Sequence, residues 1–179
     1  MIKNVIFDIG NVLLDFCWKD HIARFGFQGE KADRIAQAMM LGPIWPKLDL
    51  GLESDEDILE QFVAHTPELE QEIRLVFSDL STIVREYEGS VDWIESLKAR
   101  GYHTYYLSNY GERIRREASK ELSFLSHMDG GIMSYTVHLA KPDPAIYQTL
   151  LDRYGLKAEE CVFLDDTVRN VEAAQALGI

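Results

Sequence analysis

The sequence predicts an α/β protein: a parallel sheet covered by helices, with a separate helical block inserted after the first strand. Three observations carry this. Strand-like apolar runs recur at Val5–Phe7, His103–Leu107 and Val162–Leu164, each ending in polar or acidic residues. Helix-like segments stand between the second and third runs, and strands alternating with helices argue for a parallel sheet with both faces covered. From about Phe16 to Tyr87, strand signals are scarce and helical periodicity takes over.

Taken in order, the stretch from Asn4 to Leu13 is a Val, Ile and Phe run broken at Gly10-Asn11, the pattern of a buried strand. Asp8 sits where that strand leaves the sheet. In open α/β sheets this carboxyl end is where ligands bind, so Asp8 is a nucleophile, a metal ligand or a loop cap. Within the helical block, Gly42-Pro43-Ile44-Trp45-Pro46 separates two helices. Ser54-Asp55-Glu56-Asp57 starts another, with Ser54 as N-cap and acids in the first turn. Ser90–Arg100 reads as a helix stopped by Gly101, which returns the chain to the sheet. A further helix follows Lys141-Pro142-Asp143-Pro144. There are no repeats and no low-complexity tract.

Length and charge bound the function. The 179 residues suffice for one well-buried domain with a small insertion. No apolar stretch approaches the roughly 18 residues that a membrane helix needs. Met1-Ile2-Lys3-Asn4 runs straight into a strand, so no signal peptide is expected, and a cytoplasmic setting is. Cys17 and Cys161 match no metal-ligand spacing and read as reduced thiols. Eighteen basic against thirty acidic residues give a net charge of −12, which opposes nucleic acid and anionic membranes as partners. An anionic small molecule would need local cations. Monomer and homodimer both stay open.

The strand ends carry the chemistry. Ser108-Asn109 follows Tyr105-Tyr106-Leu107, and Asp165-Asp166 follows Cys161-Val162-Phe163-Leu164, with Lys141 in the loop region before them. Singly, each has a plain reading: Asp8 a turn cap, Ser108 a helix N-cap, Lys141 a solvated turn residue. Adjacent acids at the end of an apolar strand repel one another and usually persist by holding a cation. Together the groups have a logic. An aspartate nucleophile must approach a dianionic phosphate, and like charges at 4 Å cost about 4 kcal/mol at an effective dielectric near 20. A magnesium ion on Asp8 and the acidic pair, with Lys141 opposite, reverses that repulsion. Ser108 and the amides after it can donate to phosphate oxygens.

These residues resemble the four motifs of the haloacid dehalogenase superfamily. Phe7-Asp8-Ile9-Gly10-Asn11-Val12-Leu13-Leu14-Asp15 is similar to the first and Leu107-Ser108-Asn109 to the second. Ala140-Lys141-Pro142-Asp143-Pro144-Ala145-Ile146-Tyr147 is similar to the third, and Phe163-Leu164-Asp165-Asp166 with Asn170 to the fourth. The nearest group by motif is the sugar-phosphate phosphatases with Asp-x-Gly-Asn-Val, including the alpha-glucose-1-phosphate phosphatase type. The resemblance implies a three-layer Rossmann-like core (residues 1–15 and 88–179) and an all-helical cap (residues 16–87). It implies a magnesium-dependent phosphatase acting on a small phosphorylated metabolite, such as a sugar phosphate, through an aspartyl-phosphate. Asp8 would be nucleophile and magnesium ligand, with the Gly10 carbonyl and Asp166 as further ligands and Asp165 acting through water. Ser108 and Lys141 would hold the phosphoryl group, helped by the Asn109 amide, while Asn170 orients the acidic pair.

Two departures stand out. Where most phosphatases of the superfamily carry a general acid, two residues after the nucleophile, this chain has Gly10. A positioned acid contributes roughly 10² to 10⁴ in rate. Its absence favours leaving groups that need little protonation, or another donor, for which Asp15 and His21 are nearest in sequence; Asp15 also suits a structural place at the hinge. The chain also stops at Leu177-Gly178-Ile179, where relatives continue into a further strand. The loop Gly42 to Pro46, with Leu50-Gly51-Leu52, suits a substrate-specificity lid, in which Trp45 stacks on a sugar or serves as a buried anchor. Arg113, Arg115 and Arg116 read as a solvated face or an anion lure. The alternatives are a dehalogenase, which gives the acidic pair no purpose, and a binding-only pseudoenzyme, supported by Gly10. A mutase is disfavoured by Gly10. A receiver-type signalling domain would place its acidic pair after the first strand, the reverse of the order here.

Overall fold

The computed structural model describes residues 1–179. The first strand, β1 (Asn4–Phe7), is buried along its whole length. A short antiparallel ribbon of β2 (Leu14–Phe16) and β3 (Val84–Glu86) forms the neck of the inserted block. The remaining strands, β4 (His103–Ser108), β5 (Gly130–Met133) and β6 (Cys161–Leu164), join β1 in a parallel sheet of order β5-β4-β1-β6. The chain thus builds outward from β1 through β4 to β5, then crosses back to β6 on the other side of β1. That reversal opens a crevice at the carboxyl end of β1. Phe7 lies level with Tyr106 and Leu164, so Asp8, Ser108 and Asp165 emerge together at this edge.

Alternation along β1 divides the core in two. Val5 and Phe7 face a large cluster that includes Ile94 of the helix Ser90–Ala99 and continues into Ile58, Phe62 and Phe77 of the insertion. Phe7 and Trp93 pack at right angles with ring centres 4.9 Å apart. Ile6 faces the opposite way, onto Tyr105, Leu107, Ile146, Tyr147 and Leu150. Each fully buried side chain of this size contributes roughly 1.5–3 kcal/mol, so both sheet faces need their helices. The architecture is the three-layer α/β arrangement that the strand pattern predicts. Tyr105 is buried and Tyr106 half-buried.

Between β2 and β3 lie α1 (Trp18–Arg24), α2 (Gly29–Ala38), α3 (Pro46–Leu50), α4 (Asp55–His65) and α5 (Glu70–Phe77). Ser54 caps α4 as expected, its Oγ accepting from the Asp57 N–H at 3.1 Å. The helix Ser90–Ala99, α6, ends before Gly101, whose φ of +87° only glycine adopts readily. Next come α7 (Glu112–Glu117), α8 (Pro144–Tyr154) and α9 (Val168–Ala176). Two of the three arginines of α7 have partners, although Arg116 stays largely exposed. Arg113 donates to the Phe77 carbonyl and to Glu117, both at 2.7 Å, and Arg116 reaches Asp55 at 3.3 Å, bracing the insertion against the core. No helix is long and apolar enough to cross a membrane, and both cysteines are free.

Candidate active site

The site is built on a buried lysine. Lys141 is 4% exposed, and its Nζ stands 2.9 Å from Asp8 Oδ1 and 2.6 Å from Asp165 Oδ2. A solvated turn residue is therefore the wrong description. Asn109 fixes the lysine backbone from both sides. Its Oδ1 accepts from the Lys141 N–H at 2.7 Å and its Nδ2 donates to the Lys141 carbonyl at 2.9 Å. Asp165 is saturated with donors: besides Lys141 it accepts from the Thr167 N–H at 2.8 Å and from Asn170 Nδ2 at 3.0 Å. Asp8 is itself only 8% exposed, with its N–H on the Leu164 carbonyl at 2.7 Å and its Oδ1 accepting from the Ile9 N–H at 2.7 Å. Asp166 turns outward, where Nδ2 of Asn11 reaches its Oδ2 at 3.1 Å. Asn11 makes that contact with a φ of +56°, a region asparagine tolerates better than most residues.

Burial pushes the Asp8 carboxyl above the ordinary carboxylate range; the Lys141 ammonium pulls it back, and the charge of Asp165 pushes it up again. The Ser108 hydroxyl adds a smaller pull toward the ionised form. Oxygens of Asp8, Asp165 and Asp166 lie within 4.8 Å of one another. Three carboxylates thus face one ammonium, a deficit of two positive charges that a divalent cation would match. The donors are hard carboxylate oxygens, the chemistry magnesium or calcium prefers over softer metals.

Above this floor is a cavity of about 250 Å³. Its floor is polar, from Asp8, Gly10, Asn109, Lys141, Asp166 and Asn170. Its upper wall is largely apolar, from Leu14, Phe16 and Val84 of the neck ribbon with Trp45 and Ile114. One carboxylate, Asp49 of α3, stands in that wall.

Residues 2–178 match the haloacid dehalogenase-like hydrolases. The chain belongs to that family. This haloacid dehalogenase-like hydrolase is 25% identical over 182 residues to the sesquiterpene phosphatase astK of Aspergillus oryzae, an alignment covering 99% of the chain and 87% of the relative. It is 24% identical over 189 residues to (S)-2-haloacid dehalogenase 1 of Pseudomonas sp., covering 99% and 82%. Acyl-CoA dehydrogenase family member 10 of Mus musculus is 29% identical over 188 residues, but the chain spans only 17% of that protein. Among solved structures, a wild-type HAD family enzyme of Bacteroides thetaiotaomicron, in complex with magnesium and inorganic phosphate, superposes with a TM-score of 0.74. That comparison has 23% identity and covers 100% of this chain and 92% of the other. Phosphatases and dehalogenases therefore both stand among the relatives of this hydrolase.

The structure brings Asp8, Gly10, Asn109, Lys141 and Asp166 to one cavity, with Asp165 directly behind Lys141. Ser108 is not an N-cap: it ends β4, is 2% exposed, and the cap position of α7 belongs to Gly111. Trp45 lines the cavity but is also anchored, its ring 6.0 Å from Phe16 and 6.2 Å from Phe62. Asp15 and His21 do not line it. On β2, Asp15 alternates with Leu14 and Phe16, which face the cavity, and it accepts from the Cys17 thiol at 3.2 Å. His21 is fully buried between Thr82 Oγ1 at 3.0 Å and the Val76 carbonyl at 3.2 Å, and burial lowers its pKa. Neither is placed to supply the proton that Gly10 cannot. Sequence reasoning missed Asp49, Asn11, Tyr110 and Arg169, all on the cavity wall. For Asp49 the only signal was a lone acid inside the apolar lid segment from Ile44 to Leu50.

Proposed function

We propose that this hydrolase is a magnesium-dependent phosphatase of small phosphomonoesters, with sugar phosphates the first class to test. The observation that carries the reading is the buried Lys141 shared between Asp8 and Asp165 beside a third carboxylate, Asp166. Asp8, Asp166 and the Gly10 carbonyl would hold magnesium, with Asp165 behind them. When bound, the ion neutralises charge between these carboxylates and the substrate phosphate. Lys141 and Ser108 hold the phosphoryl oxygens, while Asn109 and Asp165 fix Lys141 in place. An oxygen of Asp8 attacks phosphorus, the bond to the leaving oxygen breaks, and an aspartyl-phosphate forms. Water then attacks that phosphorus, returning free Asp8 and inorganic phosphate. The net charge of −12 and two unpaired thiols suit a cytoplasmic enzyme for small metabolites better than a partner of nucleic acid.

Gly10 and the dehalogenase relative favour a second reading, in which Asp8 displaces halide from carbon without a metal. The three-carboxylate cluster opposes it, because carbon chemistry offers no reason to keep that charge deficit. The test is hydrolysis of an aryl phosphate with magnesium and with chelator, beside halide release from 2-chloropropionate. Phosphate release that needs magnesium and disappears in Asp8→Asn supports the phosphatase. Full activity in Asp8→Asn refutes the nucleophile, and metal-independent halide release establishes the dehalogenase.

A further inference from the structure

We propose that Asp49, on the cap side of the cavity, is the general acid and base whose usual place Gly10 leaves empty, with Tyr110 lining the same cavity. This rests on the phosphatase reading above. Asp49 lines the same cavity as Asp8 and Lys141 but enters it from the insertion, the side on which a leaving group would lie. Its carboxylate has no hydrogen-bond or ion-pair partner, unlike Asp8 and Asp165. A half-buried acid left free in a site wall is available for substrate.

Its backbone, by contrast, is pinned to the core. The Ser134 hydroxyl donates to the Asp49 carbonyl and accepts from the Tyr110 N–H at 2.9 Å, so one side chain fixes both candidates. His138 Nδ1 stands 2.8 Å from the Leu50 carbonyl. Gly51, at φ +60°, packs so tightly on Tyr135 that a Cβ there would lie 3.0 Å from the tyrosine Cβ. Helix α3 is therefore docked on the core, not left to swing with a loop, which is what proton transfer at fixed distance requires.

Tyr110 is the second, independent observation. It is 5% exposed and lines the cavity, yet its hydroxyl has no hydrogen-bond partner. A buried phenol without a partner is costly to leave unpaired, and the oxygen of a bound ester would satisfy it. Burial pushes the Asp49 carboxyl up to about 7, with the Asp8 charge adding and Lys141 opposing. Both protonation states are thus populated near neutrality, as an acid that later serves as base needs.

As Asp8 bonds to phosphorus and the ester P–O bond breaks, the Asp49 carboxyl gives its proton to the departing oxygen. The resulting carboxylate takes a proton from the water that attacks the aspartyl-phosphate. Free Asp8, protonated Asp49 and inorganic phosphate remain.

The test compares kcat for an alkyl phosphate, which needs the proton, with kcat for 4-nitrophenyl phosphate, which barely does. The ratio within each protein cancels any loss of folded enzyme. With magnesium, Asp49→Asn lowers the alkyl-to-aryl ratio by about 10² or more. Gly10→Asp added to Asp49→Asn raises it again, since a Cβ at Gly10 meets nothing within 4 Å. An unchanged ratio in Asp49→Asn overturns the assignment while leaving the phosphatase reading intact. Absence of magnesium-dependent turnover in the wild-type protein removes both.

Discussion

Replacing Lys141 by methionine tests the electrostatics of the floor most severely. The substitution keeps the apolar stem and removes the ammonium that lies 2.9 Å from Asp8 and 2.6 Å from Asp165. Those two carboxylates, with oxygens no more than 4.8 Å apart, then face each other uncompensated. At an effective dielectric of about 20, their repulsion is about 3.5 kcal/mol, and breaking a buried pair generally costs about 3–5 kcal/mol. For a chain of this length, 1 kcal/mol moves Tm by about 2–4 °C, so Lys141→Met melts roughly 10 °C lower in chelator at pH 7.5. The sign with pH is fixed by Asp8. Its carboxyl is raised by burial already and rises further without the ammonium, so the folded state binds the proton more tightly than the unfolded chain. The penalty is therefore full above the folded-state pKa and shrinks as pH falls through it toward the unfolded value. Thermal unfolding followed by circular dichroism at pH 7.5 and pH 5 reads both effects. An unchanged Tm, or a deficit identical at the two pH values, refutes the reasoning.

Two further outcomes follow from the same contacts. Asn109→Ala removes both bonds that hold the Lys141 backbone; at roughly 1 kcal/mol each, it lowers Tm by several degrees and kcat by about tenfold, and steady-state kinetics with equal kcat would contradict the clamp. His21 is held neutral by burial, with its pKa lowered from 6.5; the stability it contributes is complete above the unfolded value and is lost as pH falls below about 6.5 toward the depressed one. His21→Gln flattens that dependence, read as the change in denaturant midpoint between pH 7.5 and 5.5; an equal slope in both proteins refutes it.

What could be read from the sequence was whatever local chemistry writes into neighbouring residues. Strands β1, β4 and β6 are apolar runs that end on functional groups, so both their existence and the floor of the site were visible. β5 was not, because it opens on Gly130-Gly131. Gly131 is required by packing: a Cβ there would sit 2.3 Å from the Tyr106 ring, and no rule of strand propensity reports that. The neck ribbon was missed because each strand has three residues and carries charge at Asp15, Arg85 and Glu86. Asn109 showed its place in the motif but not the clamp, since its partner stands 32 residues away. Proximity in sequence pointed to Asp15 and His21 as proton donors; alternation on β2 turns the first from the cavity, and the insertion's core swallows the second. Asp49 arrives only when α3 docks on Ser134, a tertiary event with no local signature.

The claim on which everything else depends is that Asp8 carries the phosphoryl group. Turnover of an aryl phosphate with magnesium, quenched in borohydride, would reduce an acyl phosphate on the protein, and peptide mass spectrometry would locate it. Conversion of Asp8 to homoserine, dependent on both substrate and magnesium, is the expected result. An unmodified Asp8 under conditions of active turnover, or reduction at another carboxylate, would contradict it.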